Sequence, residues 1–183
     1  MNDFLFIHVN KTGGSSIEKV LNLETRHITA LEYKEKLGED IFNSLFKFSF
    51  VRNPWDRVVS LYHYRVMTNQ TGLKDNPIPF NEWVELTFKL KDKRYYDKEK
   101  MFMPQVRWLS DGEKIIVDFI CRFENIEKDF DYVCKKLKIS NAVLPHLKKS
   151  ERLKDYRVYY NEKSKEIVGD FFKDDIKLFN YKF

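Results

Sequence analysis

The sequence predicts an α/β fold of three layers, a mostly parallel sheet flanked by helices. Three observations carry that expectation. Two short apolar runs, "DFLFIHV" at 3–9 and "FKFSFV" at 46–51, read as buried strands. Each is followed within a few residues by helical spacing of apolar positions. Strand and helix signals then alternate down the chain, with no internal repeat and no linker.

After the first run, Asn10 and two glycines break the strand, and Ile17, Val20 and Leu21 recur at helical spacing, so a helix starts near Ser15. "RHIT" at 26–29 reads as a short strand, with Thr29 capping a helix through "ALEYKEKL" that Gly38 stops. Beyond the second strong strand, Pro54 fits the first turn of a helix running to about Met67. "NQTGLKDNPIP" is a loop. Phe80, Trp83, Val84, Thr87 and Phe88 mark one face of another helix, and 89–100 is the most charged stretch. "KIIVDFICRF" at 114–123 makes one or two strands. Ile126, Phe130, Val133, Cys134 and Leu137 define a further helix face. A last helix starts near Asn161, with Val168, Phe171, Phe172, Ile176 and Phe179 toward the core.

The length of 183 residues suits one domain, 1–183, with a sizeable core, and 43% hydrophobic residues exclude a disordered chain. A net charge of +5 suits an anionic ligand, and the mixed signs along the chain argue against a nucleic-acid partner. Two cysteines make no disulfide framework, and Cys134 falls on an apolar helix face, where a buried thiol is expected. His8, His27, His63 and His146 lie far apart and show no metal-ligand spacing. No run has the length of a signal peptide or a membrane span, so no membrane partner is expected and a soluble, cytoplasmic setting follows.

Two stretches carry the chemistry. "HVNKTGGSS" at 8–16 has the parts of a phosphate-binding loop, but Lys11 comes first and Thr12, Gly13, Gly14, Ser15 and Ser16 follow, the reverse of G-x-x-x-x-G-K-[ST]. Strand, glycine loop and helix together aim backbone N–H groups at an anion. "VRNPWDRVVS" follows the second strand; Arg52 leaves the strand end and Ser60 lies on the next helix, a fork and a hydroxyl suited to a second phosphate. Ligands of open α/β sheets bind at the carboxyl ends of strands, where Lys11 and Arg52 both fall.

In this order, about forty residues apart, the two stretches resemble the sulfotransferases that use 3′-phosphoadenosine-5′-phosphosulfate (PAPS), with "NKTGGSS" similar to the 5′-phosphosulfate loop and "VRNPWDRVVS" to the 3′-phosphate motif. The similarity is closest to carbohydrate sulfotransferases and their bacterial relatives. It extends through "RHITALEYKEKLG", "CRFENIEKDFDYV" and "LPHLKKSERLKDYRVYY". Asn10 stands where relatives often have proline, and Ser15 where threonine is common.

The resemblance implies a nucleotide-kinase-like P-loop architecture, PAPS as sulfonate donor with no metal, and a hydroxyl-bearing acceptor, first of all a carbohydrate. It implies that Lys11, Thr12, Gly13, Gly14, Ser15 and Ser16 hold the phosphosulfate, that Lys11 also stabilises the leaving oxygen, and that Arg52 and Ser60 hold the 3′-phosphate. Lys148, Lys149 and Ser150 come from a late basic loop that closes over the nucleotide, Lys149 foremost. His27 occupies the place of the general base.

Each reading has a plainer rival. His63, one turn beyond Ser60, is the other base candidate and reads first as a satisfied or surface histidine. Trp55 stacks on adenine or packs in the core. The stretch 89–100 is a solvated loop, or a lip of Lys91, Lys93, Arg94, Lys98 and Lys100 for an anionic acceptor. Glu124 anchors a loop or pairs with an arginine. "KIIVD" raises a small-molecule or nucleoside kinase with Asp118 on Mg²⁺, and a non-catalytic nucleotide- or glycan-binding protein is the third reading.

Overall fold

The structure is a computed structural model, and it describes residues 3–24, 26–140, 142–145 and 152–183. In chain order the elements begin β1 (Phe4–Ile7), α1 (Gly14–Val20), α2 (Ala30–Leu37), α3 (Glu39–Ser44), β2 (Phe46–Val51) and α4 (Pro54–Met67). Then come α5 (Phe80–Val84), continued by a π-helical turn at Glu85–Lys89, α6 (Glu99–Phe102) and α7 (Gln105–Leu109). The chain continues with β3 (Ser110–Asp111), β4 (Lys114–Ile115), β5 (Phe119–Arg122), α8 (Ile126–Lys136), α9 (Glu162–Phe171) and α10 (Lys173–Phe179). Two compact units divide the chain, Met1–Arg52 with Gln105–Lys148 and Asn53–Pro104 with Lys149–Phe183.

The first unit holds the sheet. Its strand order is β1-β2-β5, all parallel, and the small β3–β4 pair is antiparallel. Phe6, Phe48, Phe50 and Cys121 pack with Ile17 of α1 and Phe130, Val133 and Cys134 of α8. That packing explains why α8 forms where its apolar spacing predicts. Thr29 caps α2 through a full capping box, its Oγ1 accepting the Glu32 N–H (3.1 Å) while a Glu32 oxygen accepts the Thr29 N–H (2.6 Å). The fold class is therefore the expected α/β arrangement.

One expectation is corrected, and one helix was not foreseen. Residues 26–29 form no strand, because the Thr29 amide is spent on Glu32 and the His27 ring bonds to the His8 carbonyl, so no ladder is available to them. The six-residue α3, with only Phe42 buried, is too short to show a period.

The second unit is helical. Asn53 caps α4 by accepting the Trp55 N–H (3.1 Å), with Pro54 in the first turn as its fixed φ favours. Its core gathers Trp55, Val58, Leu61, Phe80, Trp83, Phe88, Phe102, Val168 and Phe172. Asn161 caps α9 with a reciprocal Ser164 bond, as its position predicts. The last helix is broken in two at Phe172 (φ −106°, ψ 25°), where Asp174 and Asp175 open a new acidic first turn.

The charged stretch 89–100 is only partly a solvated loop. Tyr95 is buried within it, and Asp97 pairs at 2.7 Å with the wholly buried Arg65 of α4. Among the described residues no helix is long and apolar enough to cross a membrane.

Candidate active site

The first unit holds the Lys11 loop and Arg52 at the carboxyl ends of β1 and β2. Beyond β1, Lys11 turns into the left-handed region (φ 66°) and Gly13 does so again (φ 86°). The Thr12 hydroxyl, fully buried, donates to the Val9 carbonyl (2.7 Å) and so pins the loop to the strand it leaves. The Ser16 N–H donates back to the Gly13 carbonyl (3.0 Å), which closes the first turn of α1. Thr12 and the Ser16 amide therefore shape the loop from within. A backbone that alternates hand in this way turns successive N–H groups toward one concave side.

The two glycines are required for different reasons. At Gly13 a side chain would be strained by φ and would also meet Ile126 Cδ1 at 2.7 Å. At Gly14 a Cβ would overlap the His8 ring. That ring cannot easily move aside, because His8 Nδ1 bonds to a Glu18 carboxylate oxygen at 2.6 Å, with both residues about 4% exposed. His8 and Glu18 thus tie the end of β1 to α1 across the loop. Sequence reasoning missed this pair, since no spacing rule links a strand-end histidine to a glutamate one turn into the next helix.

His27 stands beside them and is exposed. Its Nδ1 lies 3.3 Å from the His8 carbonyl oxygen, and its ring faces that of His8 (centroids 4.6 Å) and the edge of Trp108 (6.2 Å). A carbonyl can only accept, so Nδ1 carries a proton, and in the neutral ring the lone pair falls on Nε2. That is the tautomer a base requires.

Arg52 follows the last residue of β2. Its guanidinium lies over the Phe123 ring at 4.0 Å and donates to the Lys11 carbonyl (3.0 Å), so the second cation is bonded to the first loop. Asp118 sits at the other end of the sheet, just before β5, where it accepts the Lys47 N–H (2.7 Å) and pairs with the Lys47 ammonium (3.0 Å). It is at the amino end of its strand, and that position does not suit the metal-ligating Asp of a kinase.

The remaining candidates belong to the second unit or lie outside the described residues. Ser60 is on α4 and buried. Trp55 packs in the core, its Nε1 donating to the Lys165 carbonyl (3.0 Å) and its ring edge-on to Phe183, and so takes the plainer of its two readings. His63 is wedged between Tyr62 and Tyr159, and its Nε2 is buried with no hydrogen-bond partner among the described residues. Burial, and next the positive charge of Arg152, push its pKa below the usual histidine range. Asp56 of α4 pairs with Arg152 at 2.7 Å. Lys148, Lys149 and Ser150 lie outside the described residues, as does His146. Lys91, Lys93, Arg94 and Lys98 are exposed and Lys100 partly so, and Glu124 is exposed in the turn after β5.

With this geometry in view, comparison with known proteins is decisive. The model of the sulfotransferase family matches residues 1–182. The chain belongs to the sulfotransferase family. A protein of Archaeoglobus fulgidus, described only as uncharacterized, is 34% identical over 104 residues, covering 57% of this chain and 77% of that protein. No solved structure matches. This sulfotransferase is accordingly a transferase of sulfonate groups to a hydroxyl-bearing acceptor.

Two outcomes follow from the site's packing. Gly14→Ala should lower the unfolding free energy by about 1–3 kcal/mol, the usual cost of overpacking, because the His8 ring is held in the space the methyl needs. Gly169→Ala in α9, where a Cβ would find only Trp55 at an ordinary 3.5 Å, should cost nothing or stabilise. Denaturant midpoints of the two variants check this.

His63 should also leave a mark on acid stability. The unfolded chain protonates this histidine near 6.5, while the folded protein holds it neutral to lower pH. Unfolding therefore takes up a proton in that window, and stability present above the unfolded pKa is lost as pH falls through it toward the folded value. Between about pH 7.5 and pH 5.5 the wild-type protein should lose more stability than His63→Gln, read from urea unfolding at each pH.

Proposed function

We propose that this sulfotransferase moves the sulfonate group of PAPS to a hydroxyl of a carbohydrate, with residues 1–183 as a single sulfotransferase domain. The observation that carries the reading is the grouping of the Lys11 loop, Arg52 and His27 in one unit, linked through the carbonyls of Lys11 and His8. Two cations, a loop backbone of alternating hand and the loop hydroxyls of Ser15 and Ser16 make a donor set that fits a nucleotide phosphosulfate.

When bound, PAPS supplies a sulfonate on a phosphate leaving group, and S–O cleavage releases adenosine 3′,5′-bisphosphate. His27 takes the acceptor's hydroxyl proton at Nε2 as that oxygen bonds to sulfur. With PAPS bound, Lys11 would supply a positive charge for the bridging oxygen, where negative charge would grow as the S–O bond breaks. Lys11 must stay charged for that task, so it is a poor proton acceptor and the base role falls to His27. The amides of Gly13, Gly14 and Ser15 and the hydroxyls of Ser15 and Ser16 grip the phosphosulfate in the loop that Thr12 shapes. Arg52 holds the 3′-phosphate, and the resemblance assigns Ser60 and Lys149 to nucleotide binding as well. The chemistry needs no metal, because fixed donors already hold the leaving group. The carbohydrate acceptor rests on the resemblance alone. The buried free thiols Cys121 and Cys134 fit a reducing, cytoplasmic setting.

Adenosine 3′,5′-bisphosphate should stabilise the protein far more than AMP, by about 3 kcal/mol at a hundredfold excess over its Kd. Equal thermal shifts for the two nucleotides would remove the 3′-phosphate assignment.

The transfer itself is tested by following labelled sulfonate from PAPS across a panel of glycans, phenols and alcohols. Wild-type protein should label glycans, and His27→Ala should lower kcat by about 10²–10⁴-fold with nucleotide binding little changed. Transfer to phenols alone would remove the carbohydrate reading, and a fully active His27→Ala would remove the base assignment.

A further inference from the structure

The β2–β5 ladder ends at the pair Val51 and Arg122. One residue further on, a side chain takes over the pairing. The Oε1 of Gln105 accepts the Arg52 N–H at 2.8 Å, and its Nε2 donates to the Arg52 carbonyl at 2.8 Å. A single planar amide thus stands in for a strand neighbour, across 53 residues of sequence. Gln105 is wholly buried and Arg52 is 5% exposed, so these bonds are made away from water, where leaving either backbone group unpaired is costly. The chain leaves the first unit after Arg52 and re-enters it at Gln105, so the amide fastens the two crossing points together.

We propose that Gln105 is a positioning residue for nucleotide recognition. By fixing the Arg52 backbone it sets the origin from which the guanidinium reaches over Phe123 to the Lys11 carbonyl, and it thereby sets the selectivity for a 3′-phosphate. Only a side-chain amide offers a donor and an acceptor from one plane at this reach. Leucine keeps the bulk and loses both bonds, and glutamate keeps an acceptor but turns an oxygen toward the Arg52 carbonyl. The inference rests on the proposed assignment of Arg52 to the 3′-phosphate.

Calorimetric dissociation constants for adenosine 3′,5′-bisphosphate and for AMP, measured on the wild-type protein, R52A, Q105L and Q105E, separate the roles of the two residues. If the wild-type protein shows no preference for the bisphosphate, the Arg52 assignment fails whatever Gln105 does. If the preference is present and R52A removes it, that assignment stands, and the Gln105 variants then decide the inference. Q105L should cut the preference about tenfold, the scale of lost buried hydrogen bonds, with AMP binding little changed. Q105E should fall between, and it decides the inference if Q105L does not fold. A residue that only held the fold together would lower Tm and leave the preference unmoved. An unchanged preference in a folded variant, or an equal loss for both nucleotides, overturns the inference.

Discussion

The hydrogen bond between buried His8 and Glu18, at 2.6 Å, is the constraint on which the candidate active site depends. It spans the glycine loop from the strand it leaves to the helix it enters. A loop tethered at both ends cannot lengthen or swing, so its backbone keeps the hand-alternating shape that turns N–H groups to one side. The same bond fixes the His8 ring, and the ring excludes any side chain at Gly14. His8 then lends its carbonyl to His27. One buried pair therefore sets the loop, the glycine and the place of the His27 ring. Such a pair carries a desolvation cost, and removing one partner leaves the other unsatisfied in a buried position. Its worth lies in the geometry it enforces.

Charge is distributed along the sheet in the same spirit. Lys11 and Arg52 stand at the carboxyl end, where the parallel strands and their following turns expose N–H groups. At the amino end, Lys47 is bonded to the Phe42 and Leu45 carbonyls and to Asp118, so its charge is consumed locally. Buried arginine alone marks no site in this protein. Arg57 is as buried as Arg52, but its nitrogens go to the Met101 and Met103 carbonyls, and Arg65 goes to Asp97. What distinguishes Arg52 is that its backbone is clasped by Gln105 while its guanidinium is bonded to the Lys11 carbonyl of the glycine loop.

Local signals in the sequence were legible because each is written within a few residues. The strand at Phe4–Ile7, the glycine loop after it, Pro54 at the head of α4 and the Thr29 capping box all declare themselves in a short window. The motif order, lysine before glycines and then arginine to serine, carried the family. What escaped were pairings between distant residues. Gln105 looks like any polar residue until it is seen against Arg52, and His8 looks like a strand-end residue until Glu18 is beside it. The break at Phe172 escaped for a related reason, since Val168, Phe172 and Ile176 keep helical spacing across it. At 26–29 the β-branched residues suggested a strand, and a capping bond and a ring-to-carbonyl bond prevailed over that preference.

His27 and His63 show how one residue type can sit in two different environments. His63 sits between two tyrosine rings, half-buried, with Nε2 shut away from water and its charged form disfavoured by burial and by Arg152. A proton placed there would be expensive to hold, and an acceptor hydroxyl would have no approach. His27 is exposed, so an acceptor can reach it, and its Nδ1 is tied to a main-chain carbonyl that belongs to the strand end itself. Such a tie fixes the tautomer of the neutral ring and limits the freedom of its plane. The carbonyl comes from His8, which Glu18 holds, so the His27 ring is positioned by the same bond that shapes the loop. Displacing the loop would displace the His27 ring with it, so loop and ring keep register through a single shared anchor.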